Sequence, residues 1–205
     1  YVIVGQKEID FNLPVNLKVI QDYSLWKIFK KKQHYPILNV KEYMLNKGLH
    51  PKLNFLNVEI SDLNQKIMKM IKNDSTLILC INTANSHGLA EQRSIFIKLL
   101  NAGIDIPVII NRYYEKLTDS DLQLYASTDI GGLFVDGLGN GLCISTDNNK
   151  SIYNCNKTSF EILQASRTRI SKTEYISCPS CGRTQFDLIE TTTIVRQKTS
   201  HLKGL

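Results

Sequence analysis

Short apolar runs recur along the chain, and each has the length of a β-strand. They lie at Phe55–Ile60, Leu77–Ile81 and Pro107–Ile110, and again at Gly132–Val135 and Leu142–Ser145. Such near-continuous runs predict strands that are buried on both faces, as in a parallel sheet.

Between these runs, apolar residues recur every three or four positions, which predicts helices. After Ser61, which we expect to cap a helix, Leu63, Ile67, Met70 and Ile71 share one face. Further helices are predicted over Leu89–Leu100, from Asp119 or Ser120 to Tyr125, and from Thr158 to Arg167. Strands that alternate with helices indicate an α/β fold, either part of a (β/α) barrel or an open doubly wound sheet. The pattern alone does not separate the two.

Residues 1–52 carry a weaker pattern. Tyr1–Val4 and Val15–Ile20 have strand character, and Leu25–Phe29 has the character of a helix start. The prolines in this segment interrupt any longer element.

Composition and net charge limit the kinds of partner that the chain is expected to bind. The chain has 205 residues, of which 42% are hydrophobic, and no apolar run approaches the ~20 residues that a membrane span needs. The net charge of +6 comes from dispersed lysines with one dense run at Lys30–Lys32, which indicates a solvated face rather than a nucleic-acid site. We therefore expect neither nucleic acid nor membrane as partner. Because the chain starts at Tyr1, we interpret it as part of a longer protein, with no transit peptide in this segment.

Three of the five cysteines offer little chemistry. Cys80 and Cys143 lie in apolar runs and are expected to be buried, and Cys155 lies in a polar stretch that we predict to be a loop. This distribution is not that of a secreted disulfide framework, so a reducing compartment is expected.

Cys178 and Cys181 differ, because they form a Cys-Pro-Ser-Cys-Gly knuckle. Two thiolates at this spacing face one metal ion across a tight turn, which Pro179 and Gly182 favour. A thioredoxin-like redox pair is excluded because too few residues follow Cys181. A zinc ribbon, for which His201 is the only other plausible ligand and leaves the site one ligand short, and an iron–sulfur cluster both remain open. A structural turn without metal is the plainer alternative. A helix capped by Asp187 is expected next, with Phe186 packing against it.

Other candidate sites have plainer interpretations. Gly137, Gly139 and Gly141 predict a tight turn, with phosphate binding at the carboxyl edge of the sheet as the alternative. The run Asn111–Tyr114 is interpreted as a surface loop. We treat His34, His50 and His87 as structural, and Arg167 and Arg169 as exposed residues at a helix end that interact with its dipole.

The last third of the chain resembles a known enzyme family. The matching stretches are Thr158–Phe160, Leu163–Gln164, Arg167-x-Arg169, Lys172–Leu188 and Arg196–Leu202, together with Val135–Leu142. They resemble hydroxymethylbutenyl diphosphate synthase, the iron–sulfur enzyme of the non-mevalonate isoprenoid pathway, in its plant-type long form. Asn140 stands where that family usually has Asp.

The resemblance implies a partial (β/α) barrel-like inserted domain over residues 1–170. Residues 171–205 would be the start of a small α+β iron–sulfur domain, with Cys178 and Cys181 as two ligands of a [4Fe–4S] cluster. The remaining ligands would lie beyond Leu205, and so the segment alone is expected to be inactive. The implied reaction is the reductive opening of methylerythritol cyclodiphosphate with ferredoxin or a similar donor, in the stroma of a plastid-type organelle (apicoplast or chloroplast).

Overall fold

A single parallel sheet organises the chain. The computed structural model describes residues 1–9, 11–45, 48–147, 152–176 and 182–202. Within these residues, seven strands pair in sequence order, each parallel to its neighbour. The strands are β1 (Val2–Gly5), β2 (Val19–Asp22), β3 (His34–Leu38), β4 (Asn54–Val58), β5 (Leu77–Ile81), β6 (Val108–Tyr114) and β7 (Gly141–Thr146).

Helices connect the strands. They are α1 (Tyr23–Phe29), α2 (Val40–Met44), α3 (Gln65–Lys72), α4 (Leu89–Asn101), α5 (Asp119–Ala126), α6 (Gly132–Val135), α7 (Ile152–Ala165) and α8 (Leu188–Thr199). A 3₁₀ turn, Ile60–Asp62, precedes α3, and a π-helical turn, Ser127–Gly131, joins α5 to α6.

The helices cover one face of the sheet. Buried residues of α1 to α7 belong to one core cluster with strand residues such as Leu56, Leu79 and Ile110. The second cluster holds Ile20, Ile37, Phe55 and Cys80, and all four come from strands. Phe55 is nevertheless 0% exposed, which indicates that the sheet curls so that its strands cover one another. Sequential strand order with helices on one face is the arrangement of a (β/α) barrel, whereas a doubly wound sheet has helices on both. The partial (β/α) barrel-like prediction is confirmed.

Most predicted elements from Phe55 onward are present, but several details were wrong. Gly132–Val135 is helix α6 rather than a strand, because four apolar residues fit either element and here they complete the helix begun by α5. The caps of α3 and α5 are Asn64 and Thr118, whose side chains accept from backbone N–H groups of the first turn. Cys155 lies buried within α7, not in a loop.

The glycine-rich turn lies at the opposite edge from the one expected. Gly137 to Asn140 lead into the amino end of β7, so the carboxyl-edge phosphate site is wrong. Asn140 ties this turn to β6, because its N–H donates to the Val108 carbonyl (2.7 Å) and its Oδ1 accepts from the Val108 N–H (2.9 Å). An aspartate oxygen would accept the same bond.

The histidines contact protein groups, as expected of structural residues. His34 Nδ1 lies 3.3 Å from Gln21 Oε1, and the exposed ring of His87 packs edge-on against Tyr125. His50 Nδ1 accepts from the N–H groups of Lys52 and Leu53, both at 3.2 Å. Burial, with a smaller contribution from a nearby lysine, lowers the pKa of both His34 and His50.

No helix in the described ranges is both long and apolar enough to cross a membrane.

Two glycine substitutions test the role of the turn. Gly137 and Gly139 both have positive φ (75° and 99°), so alanine strains the backbone at either position. At Gly137 a Cβ would meet nothing within 4 Å, whereas at Gly139 it would lie 2.9 Å from Ile110 Cδ1. Urea unfolding should therefore show a loss of about 1 kcal/mol for Gly137→Ala and about 2–4 kcal/mol for Gly139→Ala. Equal losses would contradict this account.

His50 should make stability depend on pH. Its folded-state pKa lies below the unfolded value of 6.5, so the unfolded chain binds more protons as pH falls past 6.5. The free energy of unfolding should decrease from pH 7.5 to pH 5. His50→Asn, whose side-chain oxygen accepts the same two bonds without titrating, should reduce that decrease when urea unfolding is repeated at each pH. His34, whose pKa is also lowered, should contribute to the part that remains.

Candidate functional site

A buried ion pair lies near the carboxyl ends of β5 and β6. Arg112 is 2% exposed, and its Nη2 donates to Asp129 Oδ2 (2.9 Å) and to the carbonyls of Asn85 and Ser86 (both 3.0 Å). The hydroxyl of Tyr114 also donates to Asp129 Oδ2 (3.0 Å). Burial is the main reason why the pKa of Tyr114 is raised, so the phenol keeps the proton that it donates.

The surrounding backbone is built to admit this pair. The π-helical turn carries Asp129, whose Oδ1 accepts from the N–H of Gly88, just before α4 (3.2 Å). A Cβ on Gly88 would lie 2.7 Å from the Arg112 guanidinium, so the position requires glycine. The pair thus fixes the loop between β5 and α4 against β6 and the π turn.

Side-chain amides of Asn57 in β4, Asn82 just after β5 and Asn111 in β6 form a short chain next to this loop. Asn111 Nδ2 donates to Asn82 Oδ1 (2.5 Å), and Asn82 Nδ2 donates to Asn57 Oδ1 (3.4 Å). From α4, Gln92 Nε2 donates to the carbonyls of Ile81 (3.0 Å) and Asn111 (3.1 Å). These bonds satisfy polar groups at the point where β5 and β6 stop pairing with each other. The role of these amides is therefore structural.

The surface-loop interpretation of Asn111–Tyr114 was wrong. These residues belong to β6, and Arg112 faces the helices. The alternation of Val108, Ile110, Arg112 and Tyr114 on one face was the available signal, but a charged residue in that pattern is more often exposed than paired. Asp129 had no comparable signal, since the π turn that aims it inward is not visible in the sequence.

The three cysteines of the barrel-like part are poor metal ligands. Burial raises the pKa of Cys80 to about 12 and raises those of Cys143 and Cys155. Buried thiols of this kind stay protonated, and the thiolate is the ligand form. Within the described ranges, no group of three or more His, Cys, Asp and Glu residues could hold a metal ion.

The predicted ligands Cys178 and Cys181 lie outside the described residues. Their flanks are described. Asp187 caps α8 as predicted, with Oδ1 accepting from the N–H groups of Ile189 (2.8 Å) and Glu190 (2.9 Å). Phe186 is 60% exposed and does not have the burial that was expected of it, and His201 is also exposed.

Residues 166–176, which we call the strap, connect α7 to the cysteine segment. The strap contains Arg167, which forms an ion pair with Glu174 (3.1 Å), and Arg169, which lies over the ring of Phe160 (5.1 Å to the centroid). Both arginines thus have protein partners beyond the helix dipole that was expected. A cleft of about 310 Å³ separates the strap from α8, with Tyr175 on one side and Val195 on the other.

Comparison with known proteins places this geometry in context. No protein-family model matches the chain. A 4-hydroxy-3-methylbut-2-en-1-yl diphosphate synthase (flavodoxin) from Parabacteroides distasonis is 38% identical over 205 residues, which is 100% of this chain and 33% of the relative. The synthase of the same name from Phocaeicola vulgatus is 34% identical over 190 residues, 93% of this chain and 31% of the relative. This chain is homologous to these synthases.

A plant synthase shares part of the similarity. The chloroplastic 4-hydroxy-3-methylbut-2-en-1-yl diphosphate synthase (ferredoxin) of Oryza sativa is 43% identical over 114 residues, 55% of this chain and 15% of the relative. The chain spans about a third of the length of the two bacterial synthases. The family resemblance carried by the last third of the sequence is thereby confirmed, and with the first of these relatives it extends to the N-terminal part.

Removing one partner of the buried pair should be costly. Arg112→Met leaves Asp129 buried without its cation and should lower the free energy of unfolding by about 3–5 kcal/mol, measured by urea unfolding. The matched control is Arg93→Met, because Arg93 pairs with Asp136 at the surface, where both side chains are over 40% exposed. That change should cost less than ~1 kcal/mol. Similar losses for the two variants would contradict the role given to burial.

Proposed function

We propose that this chain is a segment of a 4-hydroxy-3-methylbut-2-en-1-yl diphosphate synthase. One observation carries the proposal: a synthase of that name aligns with all 205 residues at 38% identity. The relatives reported above bear synthase names, and the zinc-ribbon alternative finds no support among them. The (β/α) barrel-like sheet and the Asp187-capped helix agree with the layout that the resemblance implied.

Within this proposal the chain has two parts. Residues 1–170 form the barrel-like inserted domain, and residues 171–205 begin the iron–sulfur domain. Two features support the division: the sheet and its helices end with α7, and α8 contributes no buried residue to either core cluster. The strap is then the connection between the two parts.

Cys178 and Cys181 would hold a [4Fe–4S] cluster together with ligands from elsewhere in the protein. The donor chemistry fits: two cysteines at this spacing supply thiolates, while burial raises the pKa of the three other thiols and keeps them protonated. When bound, such a cluster supplies electrons at low potential. This chain's own contribution is to provide two sulfur ligands and to hold them through the strap and α8.

The reaction we propose for the whole protein is the two-electron reductive opening of methylerythritol cyclodiphosphate to hydroxymethylbutenyl diphosphate. The electron donor would be a ferredoxin or a flavodoxin, the two carriers that appear in the names of the relatives. No residue of this segment is assigned to the substrate.

We also propose a plastid-type organelle, apicoplast or chloroplast, as the compartment. The chloroplastic name of the rice relative and the Asn- and Lys-rich loops of this chain support it. Immunolocalisation of the protein in its source cells tests this point, and a signal outside such an organelle would overturn it.

Substitution of the knuckle cysteines tests the cluster. In the full-length protein, Cys178→Ser or Cys181→Ser should remove the visible absorption of the cluster, the bound iron and the turnover, because serine is a poor ligand to these irons. Iron content, absorption spectra and product formation are measured after anaerobic reconstitution.

The matched controls are Cys143→Ser and Cys155→Ser, which should leave iron content and turnover largely unchanged because these thiols lie in the barrel-like part. Cys155 is buried there, and Cys143, which was expected to be buried, is partly buried. A Cys178→Ser protein with full iron content and activity would end the cluster assignment. Purification with zinc in place of iron would favour the ribbon instead.

A further inference from the structure

One glutamine fastens the strap to α7. Gln164 Oε1 accepts from the N–H groups of Ser171 (3.2 Å) and Lys172 (2.9 Å) and from the Ser171 hydroxyl (3.2 Å). Its Nε2 donates to the Lys172 carbonyl (2.9 Å). A single side chain therefore binds the backbone of the strap as donor and as acceptor.

The chain reversal before this point is also fixed. Arg167 adopts a positive φ of 59°, and the N–H groups of Thr168 (3.0 Å) and Arg169 (3.1 Å) both donate to the Leu163 carbonyl. This ends α7 and turns the strap back along it. Lys172 Nζ then lies 3.7 Å from Glu161 Oε1 on α7.

The far end of the strap is held by α8 and the residues after it. Thr173 Oγ1 donates to the Leu202 carbonyl (2.7 Å), and the hydroxyls of Tyr175 and Thr199 lie 2.6 Å apart. The guanidinium of Arg196 lies 5.9 Å from the centroid of the Tyr175 ring. The strap is therefore fixed to α7 at Lys172 and to α8 at Tyr175.

Because the chain is covalently continuous, fixing the strap also limits the positions that the first cysteine can take. Cys178 follows Tyr175 by three residues, so their Cα atoms are at most about 11 Å apart. Fixing Tyr175 restricts where the first sulfur can lie, whatever the path between them. Cys181 is bonded directly to Gly182, the first residue of the described segment that leads into α8.

We propose that Gln164 is a positioning residue for the Cys178–Cys181 metal site, acting through the strap. This inference rests on the proposed function. Ligands that are held in place before metal binding lose less conformational freedom when they bind, and they release the metal more slowly. Gln164 achieves this from the barrel-like part, across the boundary near residue 170.

The side-chain chemistry predicts a graded series. Gln164→Met has a similar length but neither donates nor accepts strongly, so it removes all four bonds. Gln164→Glu keeps the acceptor bonds and loses the donor bond to the Lys172 carbonyl. Gln123→Met is the matched control, because Gln123 is exposed on α5.

The experiment uses the full-length protein with its cluster. Cluster loss to an excess of an iron chelator is followed by visible absorption under anaerobic conditions. Gln164→Met should lose the cluster at least several-fold faster than the parent protein, Gln164→Glu at an intermediate rate, and Gln123→Met at the parent rate. Hydrogen exchange of the Ser171 and Lys172 amides in the metal-free protein should be faster in Gln164→Met.

The outcomes separate the possible failures. A Gln164→Met protein with faster amide exchange and a lower melting temperature, but an unchanged rate of cluster loss, would overturn the positioning role. If Gln164→Met leaves the exchange of the Ser171 and Lys172 amides unchanged, the side chain of Gln164 does not hold the strap on α7. If Cys178→Ser retains iron, the cysteines do not hold the cluster and the proposed function fails. The exchange measurement then still tests whether Gln164 holds the strap on α7.

Discussion

The carboxylate of Asp129 joins three parts of the chain that are distant in sequence. It accepts from the Gly88 N–H at the start of α4, from Arg112 in β6 and from the Tyr114 hydroxyl. A buried ion pair of this kind is not a large net source of stability, because removing both charges from water offsets much of their attraction. Any arrangement of the chain that separates Arg112 from Asp129 leaves a buried charge unpaired, and the pair therefore disfavours such arrangements.

The second constraint lies at the end of α7. This helix packs on β7 through its buried face and, at its last turn, holds the strap through Gln164. One rigid element thus connects the core of the barrel-like part to the segment that bears the two cysteines. The helix that follows, α8, buries none of its residues in the described part of the chain, and it contacts the strap through Thr199 and Arg196.

Much of the sheet could be predicted from the sequence, because buried strands and amphipathic helices leave periodic patterns. Leu77–Ile81 and the α4 region are examples where one pattern has one interpretation. The wrong predictions occurred where one pattern fits two kinds of element. Gly132–Val135 is short enough for strand or helix, and β3 contains Pro36, which weakened the strand signal in the N-terminal segment. Cys155 was placed in a loop because the polar residues around it hid the buried face of α7.

Part of the candidate site could also be predicted, because some of its features leave local patterns in the sequence. The cysteine spacing and the Asp187 cap are local signals, and the cap is confirmed. Arg112, Asp129 and Gln164 act through bonds to residues that are distant in the chain or are aimed by an irregular turn, and no local pattern marks them. Their roles follow from three-dimensional contacts.

The strand order has a consequence for how the protein is made. In the described residues, every strand after the first pairs with the strand synthesised just before it, and the six pairings all follow this rule. A nascent chain leaving the ribosome therefore finds each pairing partner already present, and every new strand–helix unit can add to the growing edge. Folding in this order lets each strand after the first pair as soon as it is synthesised, while β1 stays at one edge of the sheet and the newest strand forms the other.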